Sequence, residues 1–510
     1  MSYAVTLNLD PERVVAKRDP KIFGHFLEHF HRQIYGGIFD PGNARSDENG
    51  FRTDVIEALR RIRTPVVRWP GGCFVSAYHW KDGVGTERTP AFDKAWRVEE
   101  PHTFGTDEFV RYCRALEAEP FICTNAGSGT PEEMSDWVEY CNLANEGRWA
   151  RRRIANGHRQ PHNVRYWSIG NENYLPSEIG AKRTFEWGDY VRESAKMMKR
   201  VDPSIELSAA GVNDLDWNIE LLRRAGKYLD WISVHGYWDM LHTVHRDPAP
   251  YEQCMVYSTR IGERIDAIRY ILGALGYLGR IRVAFDEWNL RGWHHPAVDT
   301  GLTAEEYLLP RDRNDDNATY TTADAVFSAC FLNECLRNAD LIGMANFAPV
   351  VSTRGAIFTH PEGIVLRSTF HVFEQYSSRL GETVVDSWSP EIPSFRVDGW
   401  DGAADIPVID AVATVHSAAA TGDRRTVSMA IVNRHPAETV NVEIRAPGRT
   451  LEFVGASAIT AASKDSFNDI DHPDDVTARS VESMQSDRDR TVSVGLAPHS
   501  VTVVDMSAGS

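Results

Sequence analysis

The segment Val164-Arg165-Tyr166-Trp167-Ser168-Ile169-Gly170-Asn171-Glu172-Asn173 joins an apolar run to a polar tail. The run up to Ile169 has the length and the β-branched and aromatic content of a buried strand. A carboxylate between two amides follows as soon as Gly170 has ended the run. In α/β proteins built on parallel strands, functional groups lie just past the carboxyl ends of the strands. The segment therefore predicts a buried strand that delivers Glu172 to a functional face.

Seven further runs of this kind are spaced along the chain, and segments of helical period lie between them. A helix start is evident at Thr130, where Thr can cap, Pro131 suits the first turn and Glu133 completes a capping box. Eight strand-then-helix units favour a (β/α)8 barrel over an open Rossmann sheet, which needs fewer strands. The eight runs are Ile22–Phe26, Pro65–Trp69, Pro120–Thr124, Val164–Ile169, Ile205–Ser208, Trp231–Val234, Ile281–Phe285 and Leu341–Ala345.

The hydrophobic pattern changes after Phe370–Tyr376, which is the expected eighth helix. Alternation with a period of two follows, as in Thr426–Ile431 and Thr491–Leu496, and this period is typical of strands that are buried on one face. Residues 1–17 alternate in the same way. The fold class predicted is α/β: a TIM barrel over residues 18–379, with residues 1–17 and 380–510 forming a C-terminal antiparallel β-sandwich domain.

The charge balance argues against nucleic acid and membrane partners. Lys and Arg number 55 against 72 Asp and Glu, a formal net charge of −17, and such a surface repels phosphate backbones and anionic lipid. The first residues lack a basic and then apolar signal pattern, and no uncharged run approaches the roughly 18 residues of a spanning helix. We therefore expect a cytoplasmic protein.

The cysteines indicate reduced thiols. Their number is odd and they form no CxxC pair, so neither a disulfide framework nor a zinc knuckle is indicated. They are Cys73, Cys113, Cys123, Cys141, Cys254, Cys330 and Cys335.

A second carboxylate ends the seventh predicted strand, in Val283-Ala284-Phe285-Asp286-Glu287-Trp288-Asn289. Strands four and seven lie across a barrel from each other, so Glu172 and Glu287 can face each other over a pocket. Two carboxyl groups about 5 to 5.5 Å apart are what retaining glycoside hydrolysis requires. Either glutamate alone could instead cap a helix or pair with Arg. The presence of a glutamate at the end of both strands favours a catalytic pair over these structural roles.

These residues resemble the clan of (β/α)8 glycoside hydrolases that carry catalytic glutamates on strands four and seven. Within that clan the chain is similar to the α-L-arabinofuranosidases of glycoside hydrolase family 51, and the similarity spans nearly the whole length. The segments that carry it are Gly24–His29, Tyr35–Ile38, Arg68–Phe74, Gly127–Thr130, Gly170–Asn173 and Met344–Asn346.

The resemblance implies a retaining, exo-acting α-L-arabinofuranosidase that needs no cofactor. It would release terminal non-reducing α-L-arabinofuranosyl residues from oligosaccharides by double displacement, with Glu172 as acid/base and Glu287 as nucleophile. It also implies a homo-hexamer. The family's furanose-binding positions match Glu28, Cys73, Asn171 and Tyr237, with His235 in the matching place on strand six.

Physical arguments support several of these roles. The negative charge of Glu287 is expected to raise the pKa of Glu172 and so keep the acid protonated. Asn171 is placed to hydrogen-bond the sugar hydroxyl next to the anomeric centre, although a loop Asn can also satisfy its own turn. Tyr237 could donate to the nucleophile or be an ordinary core tyrosine.

Two positions depart from the family pattern. Gly236 stands in His235-Gly236-Tyr237 where many relatives read His-Tyr-Tyr, and Pro349 stands where many carry Gln. The Pro removes a possible amide contact to the sugar, so the sugar specificity can differ from that of other members. Neither change touches the two glutamates.

Three rival readings stay open. The first is another retaining glycosidase of the clan, such as a β-xylosidase, an endo-β-glucanase or another furanosidase. The second is a non-catalytic carbohydrate-binding protein, which the presence of both glutamates disfavours. The third is a zinc peptidase, because His25–His29 fits the spelling H-x-x-E-H. Those ligands need one face of a helix, whereas the pentapeptide here completes a strand-like run.

Overall fold

The computed structural model describes residues 2–212, 214–241, 247–293, 303, 306, 313–417, 425–481, 484–486 and 490–509. Its helices in chain order are α1 (Thr53–Arg61), α2 (Thr106–Leu116), α3 (Pro131–Asn142), α4 (Gly147–Ala155), α5 (Thr184–Val201), α6 (Leu215–Ala225), α7 (Tyr251–Ser258), α8 (Ile261–Ala274), α9 (Thr322–Arg337) and α10 (Ser368–Arg379).

The first thirteen strands are β1 (Tyr3–Lys17), β2 (Gly24–Phe26), β3 (Val66–Trp69), β4 (Ala91–Asp93), β5 (Val98–Glu100), β6 (Glu119–Thr124), β7 (Tyr166–Ile169), β8 (Glu206–Ala209), β9 (Trp231–Asp239), β10 (Arg282–Arg291), β11 (Ile342–Phe347), β12 (Ile357–His360) and β13 (Gly363–Leu366). The others are β14 (Thr383–Trp388), β15 (Ser394–Gly399), β16 (Gly402–Pro407), β17 (Ile409–Val415), β18 (Arg425–Asn433), β19 (Val440–Arg445), β20 (Thr450–Thr460), β21 (Thr477–Ser480), β22 (Met484–Ser486), β23 (Thr491–Leu496) and β24 (Ser500–Gly509).

Eight parallel strands form the barrel, in the order β8-β7-β6-β3-β2-β11-β10-β9. A parallel bridge between Ala210 and Ser233 joins the two ends of this sheet, so the barrel closes between β8 and β9. Each of the eight predicted strands overlaps one of these strands, which confirms the TIM-barrel prediction. The helix predicted after Thr130 is also present, and the Thr130 hydroxyl accepts a hydrogen bond from the Glu133 amide at 3.1 Å.

Side chains fill the barrel interior in layers, because residues two apart on a strand point to the same face. The lower layer is apolar and forms its own cluster of buried residues: Val66, Phe121, Tyr166, Trp231, Ala284 and Met344. Two residues further along the same strands stand Arg68, Cys123, Ser168, Ser233, Asp286 and Asn346, all buried. The barrel therefore changes from apolar to polar toward the carboxyl ends of its strands, where Glu172 and Glu287 are found.

The second large sheet has ten strands, in the order β21-β20-β24-β18-β17-β14-β1-β19-β23-β22. Strand β1 pairs antiparallel with β14 and parallel with β19, so residues 3–17 join this sheet as the alternation predicted. Strand β20 packs against β23 although they lie seven places apart in the ladder, so the sheet folds over on itself into two layers around an apolar core. This is the C-terminal sheet-rich part of the predicted fold.

Three details differ from, or add to, the sequence analysis. Residues Pro20–Phe23 form a 3₁₀ turn, so the first barrel strand holds only Gly24–Phe26. Strands β9 and β10 continue beyond the predicted ends, to Asp239 and Arg291, and so carry site residues on the strands themselves. All seven cysteines are free thiols. Among the described residues, no helix is long and apolar enough to cross a membrane.

Candidate active site

Local backbone irregularities turn both glutamates toward the barrel axis. The pairing of β10 with β9 shifts its register between Ala284 and Glu287, which lets the consecutive Asp286 and Glu287 both face inward. Glu172 follows β7 in the left-handed region, with φ of 45°. Non-glycine residues adopt this conformation rarely, and they do so most often at functional sites.

Glu287 is held by a permanent cation and a phenol. Nη1 of Arg68 lies 2.6 Å from its Oε1, and the hydroxyl of Tyr237 donates to its Oε2 at 2.8 Å. The rest of the Arg68 guanidinium contacts Asp286, with Nε 3.2 Å from Oδ2, and donates to Oδ1 of Asn171 at 2.9 Å. Tyr237 thus donates to Glu287, and the single guanidinium of Arg68 contacts Glu287, Asp286 and Asn171.

Glu172 is held by an imidazole and a second phenol. Nδ1 of His235 lies 2.8 Å from Oε1 of Glu172, and the hydroxyl of Tyr174 donates to the same oxygen at 3.1 Å. His235 also faces Glu287, with Nδ1 3.6 Å from Oε2, and Asp286, with Nε2 3.4 Å from Oδ1. One carboxylate oxygen of Glu172, one of Glu287 and one ring nitrogen of His235 all lie within 4.8 Å of one another.

The proton distribution at this group differs from the sequence-based expectation. Burial lowers the pKa of His235, but the charges of Glu287, Asp286 and Glu172 outweigh burial and raise it to about 10. Burial raises the pKa of Glu172, but the hydrogen bond and charge of His235 outweigh burial and lower it below its usual range. The prediction of a raised Glu172 pKa is therefore wrong, because the imidazole of His235 lies between the two carboxylates.

Glu28 and a pair of glycines form the floor of the pocket. Oε1 of Glu28 accepts hydrogen bonds from the Phe74 amide at 3.0 Å and from the Trp96 indole at 3.1 Å. Burial and the charge of Glu287 raise the pKa of Glu28 to about 8. A Cβ added to Gly72 would lie 3.0 Å from Oε1 of Glu287 and 3.5 Å from Oε1 of Glu28, so the missing side chain leaves room between two carboxylates.

Asn171 and Cys73 complete the group of predicted site residues. The Nδ2 amide of Asn171 is buried without a hydrogen-bond partner and lies 3.6 Å from the position that a Cβ on Gly72 would occupy. It is therefore a free donor facing the floor of the pocket. Cys73 begins a 3₁₀ turn, Cys73–Ala77, and its Sγ lies within 4.8 Å of a carboxylate oxygen of Glu178. Burial raises the pKa of its thiol well above the usual value, which suits a pocket-lining group and not a nucleophile.

Comparison with known proteins decides the family. The α-L-arabinofuranosidase 1 domain matches residues 58–261, and the α-L-arabinofuranosidase C-terminal domain matches residues 286–500. The chain is 33% identical over 467 residues to α-L-arabinofuranosidase C of Emericella nidulans, which covers 86% of this chain and 87% of that protein. The chain belongs to the α-L-arabinofuranosidases of glycoside hydrolase family 51.

Other relatives agree with this assignment. An intracellular exo-α-(1→5)-L-arabinofuranosidase of Halalkalibacterium halodurans is 33% identical over 459 residues, covering 87% of each chain. The crystal structure of α-L-arabinofuranosidase from Thermotoga maritima in complex with arabinose superposes with a TM-score of 0.86 and 32% identity, covering 98% of this chain and 99% of that one. This family 51 member is accordingly a glycoside hydrolase.

The two departures from the family pattern have different surroundings. A Cβ added to Gly236 would lie 2.8 Å from the ring of Trp238 and 3.6 Å from Nη1 of Arg264. In this arabinofuranosidase the Trp238 indole therefore occupies space next to Gly236 that a larger side chain would need. Pro349 is buried and follows Ala348, whose carbonyl accepts a hydrogen bond from Asn289 at 3.1 Å.

Four residues of the site had no role assigned from sequence: Arg68, Tyr174, Glu178 and Asp286. Arg68 and Asp286 belong to motifs quoted above, and a charge inside an apolar strand was the available signal for Arg68. Glu178 accepts a hydrogen bond from Ser76 at 2.6 Å. Burial, together with the charge of Glu172, raises the pKa of Glu178 to about 7. Its position in the loop after β7 gave no local signal.

The H-x-x-E-H residues do not form a metal site. Nδ1 of His29 lies 3.1 Å from Glu100, and its Nε2 accepts a hydrogen bond from the Trp69 indole at 2.9 Å. Within the described ranges, potential ligand atoms converge in three groups, and none contains His25, Glu28 or His29. These groups are Asp107, His158 and His162; Cys73, Glu172 and Glu178; and Glu172, His235 and Glu287.

Proposed function

We propose that this enzyme removes terminal, non-reducing α-L-arabinofuranosyl residues from oligosaccharides by a retaining double displacement. The observation that carries the proposal is the pair Glu172 and Glu287, with carboxylate oxygens within 4.8 Å of each other at the carboxyl ends of the barrel strands. This close approach of two oxygens supports the spacing of about 5 to 5.5 Å between the carboxyl groups of retaining enzymes over the 6.5 to 9.5 Å of inverting ones.

In the first step Glu287 attacks the anomeric carbon and forms a glycosyl ester while the bond to the leaving oxygen breaks. Arg68 and Tyr237 each engage one oxygen of Glu287, so the nucleophile is oriented before substrate arrives. The leaving oxygen takes its proton from Glu172. Because the pKa of His235 is raised and that of Glu172 is lowered, we assign this proton to His235 before the reaction, and the 2.8 Å contact from Nδ1 to Oε1 is the path by which it reaches Glu172.

In the second step water attacks the anomeric carbon and releases the sugar from Glu287. Glu172, now a carboxylate, accepts the proton of that water, and the free enzyme is restored. Two inversions at one carbon give overall retention. Protons balance because the proton lost to the leaving group in the first step is regained from water in the second.

The pocket floor explains how one sugar unit is held. Glu28, Asn171 and Cys73 border the space over Gly72, and the free amide of Asn171 can donate to the hydroxyl beside the anomeric carbon. That hydrogen bond strengthens as positive charge develops on the ring. Exo action is supported by two bacterial relatives that are named intracellular exo-α-(1→5)-L-arabinofuranosidases.

Location and assembly form a separate part of the proposal. The relatives named as intracellular support a cytoplasmic enzyme that acts on short oligosaccharides. The family resemblance supports a homo-hexamer. Light scattering at working concentration is expected to give a hexamer mass, and a monomer mass would contradict this part without affecting the chemistry.

A panel of 4-nitrophenyl glycosides tests the sugar and the mechanism together. We expect turnover of the α-L-arabinofuranoside that persists in EDTA, and NMR of the first product formed should show the α configuration. Turnover only of β-D-xylopyranoside or β-D-glucopyranoside would assign a different sugar to the same barrel. A first product of β configuration would overturn the retaining mechanism, and loss of activity in EDTA that zinc restores would overturn metal-free catalysis.

A further inference from the structure

A second cluster of titratable side chains lies outside the active site, where the start of α2 meets the segment between α4 and β7. Asp107 belongs to the first turn of α2, and His158 and His162 belong to that segment. One potential ligand atom from each of the three residues lies within 4.8 Å of the others. The proposed hydrolysis uses none of them, so the cluster needs its own explanation.

The distances around Asp107 distinguish two kinds of contact. Nε2 of His162 lies 2.7 Å from Oδ1, which is a hydrogen bond. Nε2 of His158 lies 3.5 Å from Oδ2, beyond the usual range of an N–H···O bond. Two ligands about 2.0 Å from a tetrahedral zinc ion are about 3.3 Å apart. The 3.5 Å between His158 and Asp107 is close to that separation. A small outward movement of the His162 ring would lengthen its 2.7 Å contact with Asp107 to the same value.

Neighbouring side chains hold the backbone at both histidines and the carboxylate of Asp107. Nε of Arg153 donates to the His158 carbonyl at 3.0 Å, and Nη2 of Arg114 donates to the His162 carbonyl at 2.8 Å. The hydroxyl of Tyr140 contacts both oxygens of Asp107, at 2.8 Å and 3.1 Å. Hydrogen bonds of this kind orient the carboxylate ligands of metal ions. The carboxylate, and the backbone that carries the two imidazoles, are therefore held in place before an ion binds.

Charge and exposure also suit a cation. Asp107 supplies a carboxylate group that faces both imidazoles, with Nε2 of His162 at 2.7 Å and Nε2 of His158 at 3.5 Å. The His158 side chain is 26% exposed against 3% for Asp107. The cluster is thus open to water on the His158 side.

We propose that Asp107, His158 and His162 bind a divalent transition metal ion of the zinc type, with water as the fourth ligand. Two imidazoles and one carboxylate favour zinc, cobalt or nickel over calcium and magnesium, which prefer oxygen ligands. An ion binds imidazole nitrogens only in their deprotonated form, so binding should weaken as the pH falls. It would link α2 to the segment that leads into β7, the strand that precedes Glu172.

Cobalt titration of the chelator-treated protein tests this proposal. We expect one Co²⁺ per chain, visible d–d absorption of a four- or five-coordinate ion, and displacement of that absorption by Zn²⁺. His158→Ala and His162→Ala should abolish the signal. Tyr140→Phe, which keeps all three ligands, should weaken binding about 10- to 100-fold. His79→Ala is the matched control, because this exposed imidazole also pairs with a carboxylate, Glu133, and it should bind like the parent chain.

Other outcomes would overturn the site. Full cobalt absorption in both His158→Ala and His162→Ala means that the ion binds elsewhere. A signal that vanishes only in His235→Asn places the ion on the catalytic group. Failure of the parent chain to bind Co²⁺ or Zn²⁺ also contradicts the proposal, since the protein as purified presents the same three side chains. Thermal unfolding in EDTA shows that each variant is folded, and hydrolysis by the His158 variant should stay at the parent rate.

Discussion

The two halves of the active site hold similar carboxylates by different chemistry. Glu287 contacts Arg68 and Tyr237, which keep their protons throughout the ordinary pH range. Glu172 contacts His235, which titrates. A nucleophile must stay ionised, whereas an acid/base must gain and lose a proton in each cycle. The comparison shows that the side chain paired with each carboxylate, more than the burial of that carboxylate, determines whether it stays ionised or exchanges a proton.

The largest loss of hydrolytic activity is expected when Glu287, the proposed nucleophile, is removed. Glu287→Ala removes the group that forms the covalent bond, so hydrolysis should fall by about 10⁴-fold or more. The fall should be equal for 4-nitrophenyl and for alkyl leaving groups, because neither can react without a nucleophile. Steady-state rates with both aglycones give the measurement. A loss that spares the 4-nitrophenyl substrate would contradict the role of Glu287.

Breaking the acid/base half should give a loss that depends on the leaving group. Glu172→Ala removes proton donation, which contributes about 10² to 10⁴, so alkyl arabinofuranosides should slow by that factor. A 4-nitrophenolate leaves without protonation, so its release should remain fast in a first burst and ester hydrolysis should then limit turnover. Stopped-flow absorbance measures the burst. Equal impairment with both leaving groups would contradict the assignment.

Substitution of two tyrosines tests the same comparison with a smaller expected loss of rate. Tyr237→Phe removes one hydrogen bond to Glu287, about 1.5 to 3 kcal/mol for a charged acceptor, and so about 10- to 100-fold in rate. Tyr174→Phe is the matched variant, because it removes the corresponding hydrogen bond to Glu172.

The two phenylalanine variants should differ in leaving-group dependence. Rates of Tyr237→Phe should fall alike for all aglycones, since the nucleophile serves all of them. Rates of Tyr174→Phe should fall more for alkyl aglycones, which need protonation. A Brønsted plot of rate against aglycone pKa measures the difference, and parallel plots for the two variants would show that the halves are not distinct.

The smallest expected effect is a shift in pH dependence. His235 has a pKa raised to about 10 in the fold, so the His235 and Glu172 pair retains its shared proton until the pH approaches that value. His235→Asn leaves Glu172 to hold the proton alone, and the alkaline limb of kcat/KM should move to lower pH. If the alkaline limb of kcat/KM lay at the same pH in His235→Asn as in the parent enzyme, the proton path through His235 would be contradicted.

Unfolding provides the control for that variant. A group whose pKa is raised on folding stabilises the protein below its unfolded pKa, near 6.5 for His, and loses this contribution as the pH rises through about 10. The free energy of unfolding in urea should therefore decline over this interval for the parent chain and decline less for His235→Asn. The surrounding charged groups are Glu172, Asp286, Glu287 and Arg68.

The barrel could be predicted from sequence because its strands carry local signals. Each strand is a short apolar run that is buried on both faces, such as Val66–Trp69, and each lies between helical segments. Glu172 and Glu287 were predictable for the same reason, since they follow or end such runs. The first strand was predicted too long because Ile22 and Phe23 are apolar and buried but lie in a 3₁₀ turn.

The charge state of the site could not be predicted in this way. Which carboxylate meets His235 depends on the register shift in β10 and on the left-handed backbone at Glu172, and neither leaves a local pattern. Arg68 contacts residues 103 and 219 positions away in the chain. Interactions over such separations come from the closed barrel, and the pKa shifts follow from them.

The configuration of azide products tests the central claim most directly. With Glu287→Ala, added azide should attack from the vacated face and give the β-configured arabinofuranosyl azide, which is inversion. With Glu172→Ala, azide should attack the ester on Glu287 and give the α-configured azide, which is retention. Proton NMR of the two products distinguishes them. Products of the same configuration from both variants would contradict the assignment of nucleophile and acid/base.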